Sequence, residues 1–252
     1  MFIDTHCHLT YDCDGGVDAV IERANNAGVG GLICATANPV DIKPALEIAK
    51  THKNIFVTTG IHPDYPDQNP YDYLTDDILN DPYVIGVGEI GLDYHNNPLN
   101  KKEQMELFEK QLEIAYNHKM PVAIHTREAE ADTAPILTDK YHGVMHCFTS
   151  SWDLAKQMLD RGFFFSASGI LTFKNAESVR ETFAKIPNDR IVIETDSPFC
   201  APIPYRGKPC EPAFVIETAK VLANIKNLQI EDLETILFEN TKRLYPKWHV
   251  KL

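Results

Sequence analysis

The chain opens with Met1-Phe2-Ile3-Asp4-Thr5-His6-Cys7-His8-Leu9, and the remaining sequence can be interpreted outward from this stretch. Phe2 and Ile3 are residue types that suit a buried β-strand. Because side chains alternate between the two faces of a strand, His6 and His8 are expected to point to one side and Cys7 to the other. Two imidazoles placed in this way near the end of a strand can hold one divalent metal ion, although a His-x-His pair also occurs without a metal.

Short apolar runs like this one alternate with helical patterns along the chain. The candidate strands are Phe2–Leu9, Gly31–Ala35, Ile55–Ile61, Val84–Ile90, Pro121–Thr126, Gly143–Thr149, Phe163–Ser168 and Ile191–Thr195. The candidate helices are Val17–Ala27, Ile42–His52, Tyr71–Leu79, Lys101–His118, Glu128–Leu137, Asp153–Leu159, Glu177–Ile186, Pro212–Ile225 and Ile230–Asn240.

Repeated strand–helix units favour a parallel sheet that is covered by helices. Eight such units in 252 residues match a closed (β/α)8 barrel, the TIM barrel of the α/β class. Periodicity alone does not separate this barrel from an open, doubly wound sheet. We predict a single domain over residues 1–252, because no change in composition marks a linker.

The charge of the chain restricts its partners. A net charge of −12 argues against broad electrostatic binding to duplex nucleic acid, which depends on Lys and Arg neutralising phosphates. It does not exclude a phosphate-bearing substrate, because bound metal ions reverse the local field inside an acidic protein. We therefore expect any contact with nucleic acid to be small and local.

The chain carries no pattern of a secreted or membrane protein. Asp4 and His6 interrupt the first apolar stretch before the core of a signal peptide could form, and the longest apolar run, near Phe163, is too short to span a bilayer. The six cysteines form no Cys-x-x-Cys pair and suggest reduced thiols. We predict a cytoplasmic protein with no membrane contact and no obligate protein partner, a monomer by default.

Residues that can bind a metal ion or take part in catalysis lie at the C-terminal ends of six of the candidate strands. In a barrel of this kind, the active site lies at this end of the strands. Each of them alone has an ordinary structural interpretation, as a hydrogen-bonded histidine or a turn aspartate. The set points to a metal site, because unrelated structural residues have no reason to choose the same end of six strands. Its members are His6, His8, His62, Glu89, Asp93, His125, Arg127, His146 and Asp196.

The same residues carry a resemblance to a known family. Phe-Ile-Asp-Thr-His-Cys-His-Leu, Gly-Ile-His-Pro, Gly-Glu-Ile-Gly-Leu-Asp-Tyr, Ile-His-Thr-Arg, His-Cys-Phe and Glu-Thr-Asp-Ser-Pro resemble, in this order, the TatD family of metal-dependent deoxyribonucleases. The resemblance implies two divalent metal ions, Mg²⁺, Mn²⁺ or Zn²⁺. His6, His8 and Asp196 would hold one ion and His125 and His146 the other. Glu89 would bridge the two ions and count as a catalytic residue.

From this we predict hydrolysis of phosphodiester bonds in DNA, by a 3′-to-5′ exonuclease acting on single strands. A water bound between the ions would attack phosphorus, with Asp196 as its general base. Arg127, two residues beyond a ligand histidine on the same strand face, is placed to contact a phosphate. Arg206, in the loop after the last strand, and His62 could do the same. Asp93 is a further candidate, either for substrate binding or as a group that supports a metal ligand.

Two alternatives remain from the residues themselves. The first is a hydrolase of the same barrel that cleaves an ester, lactone or amide bond, including aminoacyl esters. Such a substrate would not need Arg127 and Arg206, whereas a phosphodiester would. Many related hydrolases use a carboxylated lysine as the bridge, but here Glu89 takes that place and no candidate strand ends in lysine. The second alternative is a metal-binding protein without turnover.

Overall fold

Eight parallel strands lie side by side in chain order in the computed structural model, which describes residues 1–248. The strands are β1 Phe2–Cys7, β2 Val29–Ala35, β3 Ile55–Thr59, β4 Val84–Asp93, β5 Val122–Arg127, β6 Gly143–Met145, β7 Phe164–Ala167 and β8 Ile191–Ile193. The helices are α1 Val17–Asn26, α2 Ile42–Thr51, α3 Asp76–Leu79, α4 Lys101–Asn117, α5 Glu130–Ile136, α6 Trp152–Asp160, α7 Glu177–Lys185, α8 Val215–Lys226 and α9 Ile230–Leu244.

The first and last strands meet and close the sheet. Cys7 forms a parallel bridge with Ser197, and the N–H of His8 donates to the Ser197 carbonyl at 2.8 Å. Below this bridge, the buried Asp4 carboxylate accepts the backbone N–H of Thr195 at 2.9 Å. The predicted (β/α)8 barrel is thereby confirmed, and the open doubly wound sheet is excluded.

The barrel interior is filled by one apolar side chain from each strand. Because strand side chains alternate, this ring faces inward at one level, near the N-terminal ends of the strands. The ring consists of Ile3, Ile33, Phe56, Ile85, Ala123, Val144, Phe164 and Val192. Leu244, Tyr245 and Trp248, at and just after the end of α9, pack against it and close this end of the barrel. The opposite, C-terminal end stays open.

The helices bury their apolar stripes on the outside of the barrel. In α4, Phe108, Leu112 and Ala115 have no exposed surface, and Met105 is partly buried. Complete burial of a side chain of this size contributes roughly 1.5–3 kcal/mol relative to exposure. This packing holds the strands, and therefore the residues at their open ends, in place.

Several element boundaries differ from the predicted ones. Strands β1, β6 and β8 end two to four residues early, and left-handed backbone conformations at Cys147 (φ 42°) and Asp196 (φ 58°) follow the last two. Strand β4 instead continues to Asp93, because its last residues pair with β5. The predicted helix Tyr71–Leu79 is wrong over its first half, since extended backbone at Thr75 (φ −79°, ψ 162°) restricts the α-helix to Asp76–Leu79.

Within residues 1–248, none of the helices combines the length and apolar character that a membrane crossing requires.

Candidate metal centre

Residues that follow the apolar ring at even spacing on the same strand also point into the barrel, but they lie nearer to its open end. In β5 and just after β6, His125 and His146 each come two residues after the ring residue of that strand. Asp196 comes four residues after the ring residue of β8, and Glu89 four after that of β4. Since alternate residues share a face, all four side chains point into the barrel.

Irregular pairing in β1 and β4 adjusts this pattern. The β1–β2 register shifts between Asp4 and Cys7, and the β4–β5 register shifts around Glu89. Such register shifts change the direction in which side chains point, and they are common next to active sites. Beside Glu89, a Cβ atom on Gly88 would lie 2.6 Å from the Cβ of Ala123, so only glycine allows β4 to approach β5 this closely. The predicted common orientation of the first two histidines holds, because both reach Glu89.

The Glu89 carboxylate lies at the centre of four imidazoles. Its Oε2 is 3.4 Å from Nε2 of His6 and 3.8 Å from Nε2 of His8. Its Oε1 is 2.7 Å from Nδ1 of His125 and 3.3 Å from Nε2 of His146. Burial raises the pKa of Glu89, but the histidines around it, with His146 and His62 foremost, outweigh burial and bring it well below the ordinary value. The carboxylate is therefore ionised.

Asp196 completes the same cluster from the loop after β8. Its Oδ1 lies 3.4 Å from Nε2 of His8 and 3.9 Å from Nε2 of both His6 and His146. The backbone N–H of Asp196 donates to the His6 carbonyl at 2.9 Å, which ties this loop to β1. The pKa of Asp196 lies below its ordinary value, because burial, which would raise it, is outweighed by the neighbouring histidines.

The donor atoms fit a metal ion. The buried Nε2 of His6 has no hydrogen-bond partner, although it faces two carboxylates. His8 donates its Nδ1–H to the Ala35 carbonyl at 3.0 Å, which leaves the Nε2 lone pair directed at Glu89 and Asp196. Two ligands that are each about 2.1 Å from a tetrahedral ion stand about 3.4 Å apart, so these nitrogen–oxygen separations match those of metal ligands.

Glu194 orients one of these ligands and was not among the predicted site residues. Its Oε1 lies 2.9 Å from Nδ1 of His146 and accepts the backbone N–H of Cys147 at 2.7 Å. The angle at Nδ1 falls short of a hydrogen bond, so we interpret the contact with His146 as electrostatic. Strand alternation could have identified this residue, because it lies two positions before Asp196 on the inward face.

Asp93, predicted to bind substrate, is engaged inside the protein. Its Oδ1 accepts the backbone N–H groups of His95 and Asn96 at 2.9 and 2.8 Å, and its Oδ2 lies 3.1 Å from Nε2 of His125. Burial lowers the pKa of His125, but Asp93 and Glu89 raise it to about 9. Both oxygens of Asp93 therefore have partners, which favours a role in orienting His125 over contact with substrate.

His62 directs one nitrogen towards the centre. Its Nδ1 accepts the backbone N–H of Asp64 at 3.1 Å, so in the neutral ring the proton is on Nε2. That Nε2 lies 3.7 Å from Oε1 of Glu89 and lines the same cavity. A donor in this position can reach an oxygen of a bound molecule, as predicted from the sequence.

The centre forms the floor of a cavity of about 410 Å³ at the open end of the barrel. Arg127 lies in its wall, where the sequence pattern had placed it. Arg206 does not line the cavity: its guanidinium lies over the ring of Phe173, 4.1 Å from the ring centroid. In this arrangement the guanidinium of Arg206 packs on Phe173 and not against the cavity.

The chain is similar to known proteins over almost its whole length. A family model described as TatD related DNase matches residues 3–246. The chain is 37% identical over 254 residues to a Bacillus subtilis protein called uncharacterized metal-dependent hydrolase YabD, covering 97% of this chain and 99% of that protein. It is 35% identical to the uncharacterized metal-dependent hydrolase YcfH of Escherichia coli, covering 96% and 95%. The crystal structure of the TatD homolog YJJV from Escherichia coli has a TM-score of 0.90 at 26% identity and covers 97% of this chain and 98% of its own.

Proposed function

We propose that this chain, which belongs to the TatD family of related DNases, is a metal-dependent hydrolase that cleaves phosphodiester bonds of DNA. The convergence of four ligand imidazoles on Glu89, three of which also face the Asp196 carboxylate, carries the proposal. It is a metal-ligand set on the floor of a cavity, with a cationic side chain in the wall.

The residues divide between two divalent ions. His6, His8 and Asp196 would hold one ion, His125 and His146 would hold the other, and Glu89 would bridge them. Bound Mg²⁺, Mn²⁺ or Zn²⁺ would supply Lewis acidity and make water more acidic at neutral pH. Imidazole and carboxylate donors are compatible with all three ions, so the choice among them is left to experiment.

Asp196 is the proposed general base. Its lowered pKa keeps the carboxylate ionised at neutral pH, ready to accept a proton from the attacking water. The left-handed backbone at this residue turns the side chain to the cavity, where it keeps 13% exposure. Glu89 is more deeply buried, with 6% of its side chain exposed, and suits a bridging ligand better than a proton acceptor.

Arg127 and His62 bind the scissile phosphate in this proposal. A guanidinium forms strong, charge-assisted hydrogen bonds with phosphate oxygens. The Nε2–H of His62 offers a second donor beside Glu89. As Asp196 accepts a proton from the attacking water, the oxygen of that water bonds to phosphorus, the bond to the 3′-oxygen of the neighbouring nucleotide breaks, and this leaving oxygen takes up a proton from solvent water.

The size of the cavity supports an end-directed, single-strand activity. An unpaired strand end can enter a space of about 410 Å³ and place its last phosphate at the floor. The body of a duplex is too wide to enter a cavity of this size, so its internal phosphates do not reach the floor. We therefore propose exonuclease action on single strands, with the 3′-to-5′ direction that the resemblance to the TatD family implies.

A comparison of substrate classes tests the reaction type. Protein stripped of metal and then given Mg²⁺, Mn²⁺ or Zn²⁺ is assayed on bis(p-nitrophenyl) phosphate, p-nitrophenyl acetate and a simple lactone. We expect metal-dependent cleavage of the phosphodiester. Hydrolysis of the carboxylic ester or lactone alone would replace the proposal with the alternative hydrolase of the same barrel.

A further inference from the structure

We infer that Tyr11 and Phe199 form a stacking site for the terminal nucleobase of the substrate, at the rim of the cavity. This inference rests on the proposed function. It adds the residues that would recognise the base of a nucleotide, and not its phosphate alone. Both residues line the cavity that has Glu89 on its floor.

The two rings form a fixed aromatic corner. Tyr11 stacks on His8 with ring centroids 5.0 Å apart and an interplanar angle of 18°. Phe199 meets Tyr11 in a T-shaped contact at 5.9 Å and His8 in another at 6.1 Å. The backbone N–H of Phe199 donates to the Asp196 carbonyl at 2.8 Å, so the ring is held at a set distance from the proposed general base.

Phe199 combines this position with unusual exposure. Its side chain is 51% exposed, and among the exposed large apolar residues of the described part of the chain, it alone lines this cavity. Exposed apolar side chains scattered over a surface need no explanation, but one at the rim of an active-site cavity is a candidate binding surface. A face of its ring is therefore available to a ligand that enters the cavity.

The cavity wall divides into an apolar and a polar side. Tyr11, Ile170 and Phe199 follow β1, β7 and β8, which are neighbours in the barrel. Asn96 and Arg127 come from the ends of β4 and β5, on the far side. A nucleotide has the same division, with a flat apolar base at one end and an anionic phosphate at the other. This complementarity favours a nucleotide over an ester or lactone of similar size.

Base stacking explains a preference for unpaired ends. Every base has a π-face, so stacking on an aromatic ring is tolerant of sequence and strengthens binding by roughly 5- to 100-fold per base. An interior base of a duplex is stacked on both faces, and the last base of a blunt end is still paired to the other strand, whereas an unpaired terminal base is free to turn a face to the ring. The aromatic corner therefore selects single-stranded or frayed ends without reading their sequence.

Two oligonucleotides of equal length test the inference, one ending at its 3′ side in 2-aminopurine and one in an abasic residue. The ratio of kcat/KM between them measures the contribution of the base. We expect a ratio of roughly ten or more for the natural protein and a ratio near one for Phe199→Leu. For Phe199→Trp, which keeps an aromatic ring, we expect a ratio between these two values or equal to that of the natural protein. The control Tyr116→Leu removes a ring of similar exposure, 52%, at the end of α4 on the opposite side of the barrel, and should leave the ratio unchanged.

Fluorescence quenching of the 2-aminopurine strand, measured in a chelator, reports stacking without catalysis. Quenching by the natural protein that is lost in Phe199→Leu supports the inference even if no phosphodiester is cleaved, in which case only the proposed function fails. Cleavage of both strands with equal ratios in the natural protein and Phe199→Leu overturns the inference and leaves the proposed function standing. Absence of both cleavage and quenching overturns both.

Discussion

The Nε2 atom of His6 lies 3.4 Å from Oε2 of Glu89, deep in the open end of the barrel, and this nitrogen has no hydrogen-bond partner. The separation is long for a hydrogen bond and matches that of two ligands on one ion. The imidazoles of four other histidines direct a nitrogen at the same carboxylate, namely those of His8, His62, His125 and His146. Glu89 is accordingly the residue on which metal binding depends most.

Replacing Glu89 with glutamine tests this dependence. Glu89→Gln keeps the size of the side chain but removes the charge that a cation requires, so we expect metal affinity to fall by more than about 100-fold. Isothermal titration calorimetry with Mn²⁺ or Zn²⁺ measures the change. Glu47→Gln, whose side chain is 72% exposed on α2, is the matched control. Equal affinities in both variants would remove Glu89 from the centre.

Glu194→Gln tests a residue that would affect metal binding only through its contact with His146. The amide can still accept the Cys147 N–H but no longer places a charge beside Nδ1 of His146. Loss of such orienting partners lowers metal affinity or activity by about 10- to 100-fold. We expect a decrease in this range with an unchanged melting temperature of the metal-free protein. A variant with full metal affinity would show that His146 is oriented by packing alone.

The two arginines are expected to behave differently. Arg127→Ala should raise KM for a DNA substrate about tenfold or more, since a hydrogen bond to a charged group contributes roughly 1.5–3 kcal/mol. Arg206→Ala should change KM less than about twofold, because its guanidinium lies on Phe173 outside the cavity. Steady-state kinetics on one single strand compare them. A larger effect from Arg206→Ala would mean that its loop rearranges around substrate.

Asp4 is predicted to stabilise the closure of the barrel. Burial raises the pKa of Asp4 to about 8, and its carboxyl group accepts the N–H of Thr195 at 2.9 Å and that of His6 at 3.2 Å, and also the Thr195 hydroxyl. Asp4→Ala leaves these buried donors unpaired, at about 1–3 kcal/mol each, so we expect the free energy of unfolding to fall by about 3 kcal/mol. Urea denaturation measures it, with Asp18→Ala, whose side chain is 93% exposed, as the control. A loss equal to that of the control would contradict this role.

Much of the barrel could be predicted, because both of its periodicities are visible along the chain. The eight strand–helix units and the inward side of His125, His146 and Asp196 follow from alternation and from the rule that active sites lie at the C-terminal ends of the strands. The residues at which strands and helices end were harder to predict from the sequence. The left-handed residues that stop strands, such as Cys147, have no distinctive residue type.

The parts that could not be predicted depend on contacts between distant segments. Asp93 has the residue type of a substrate-binding group, and only the folded loop gives both of its oxygens partners within the protein. Arg206 follows the last strand as a phosphate-binding residue could, yet the position of its loop sets it on Phe173. Alternation places Glu194 on the inward face, but its contact with the ring of His146, 48 positions earlier in the chain, is visible only in the fold.

The central claim, metal-dependent cleavage of DNA at the Glu89 centre, is tested most directly by digestion of single-stranded DNA labelled at its 5′ or 3′ end. Metal-stripped protein receives Mg²⁺, Mn²⁺ or Zn²⁺ separately, with Asp196→Asn as the control that removes the proposed base. We predict early release of mononucleotides from the 3′ label, only with metal, and none from the variant. Intact DNA with every metal, from protein shown to bind two ions, would contradict the account.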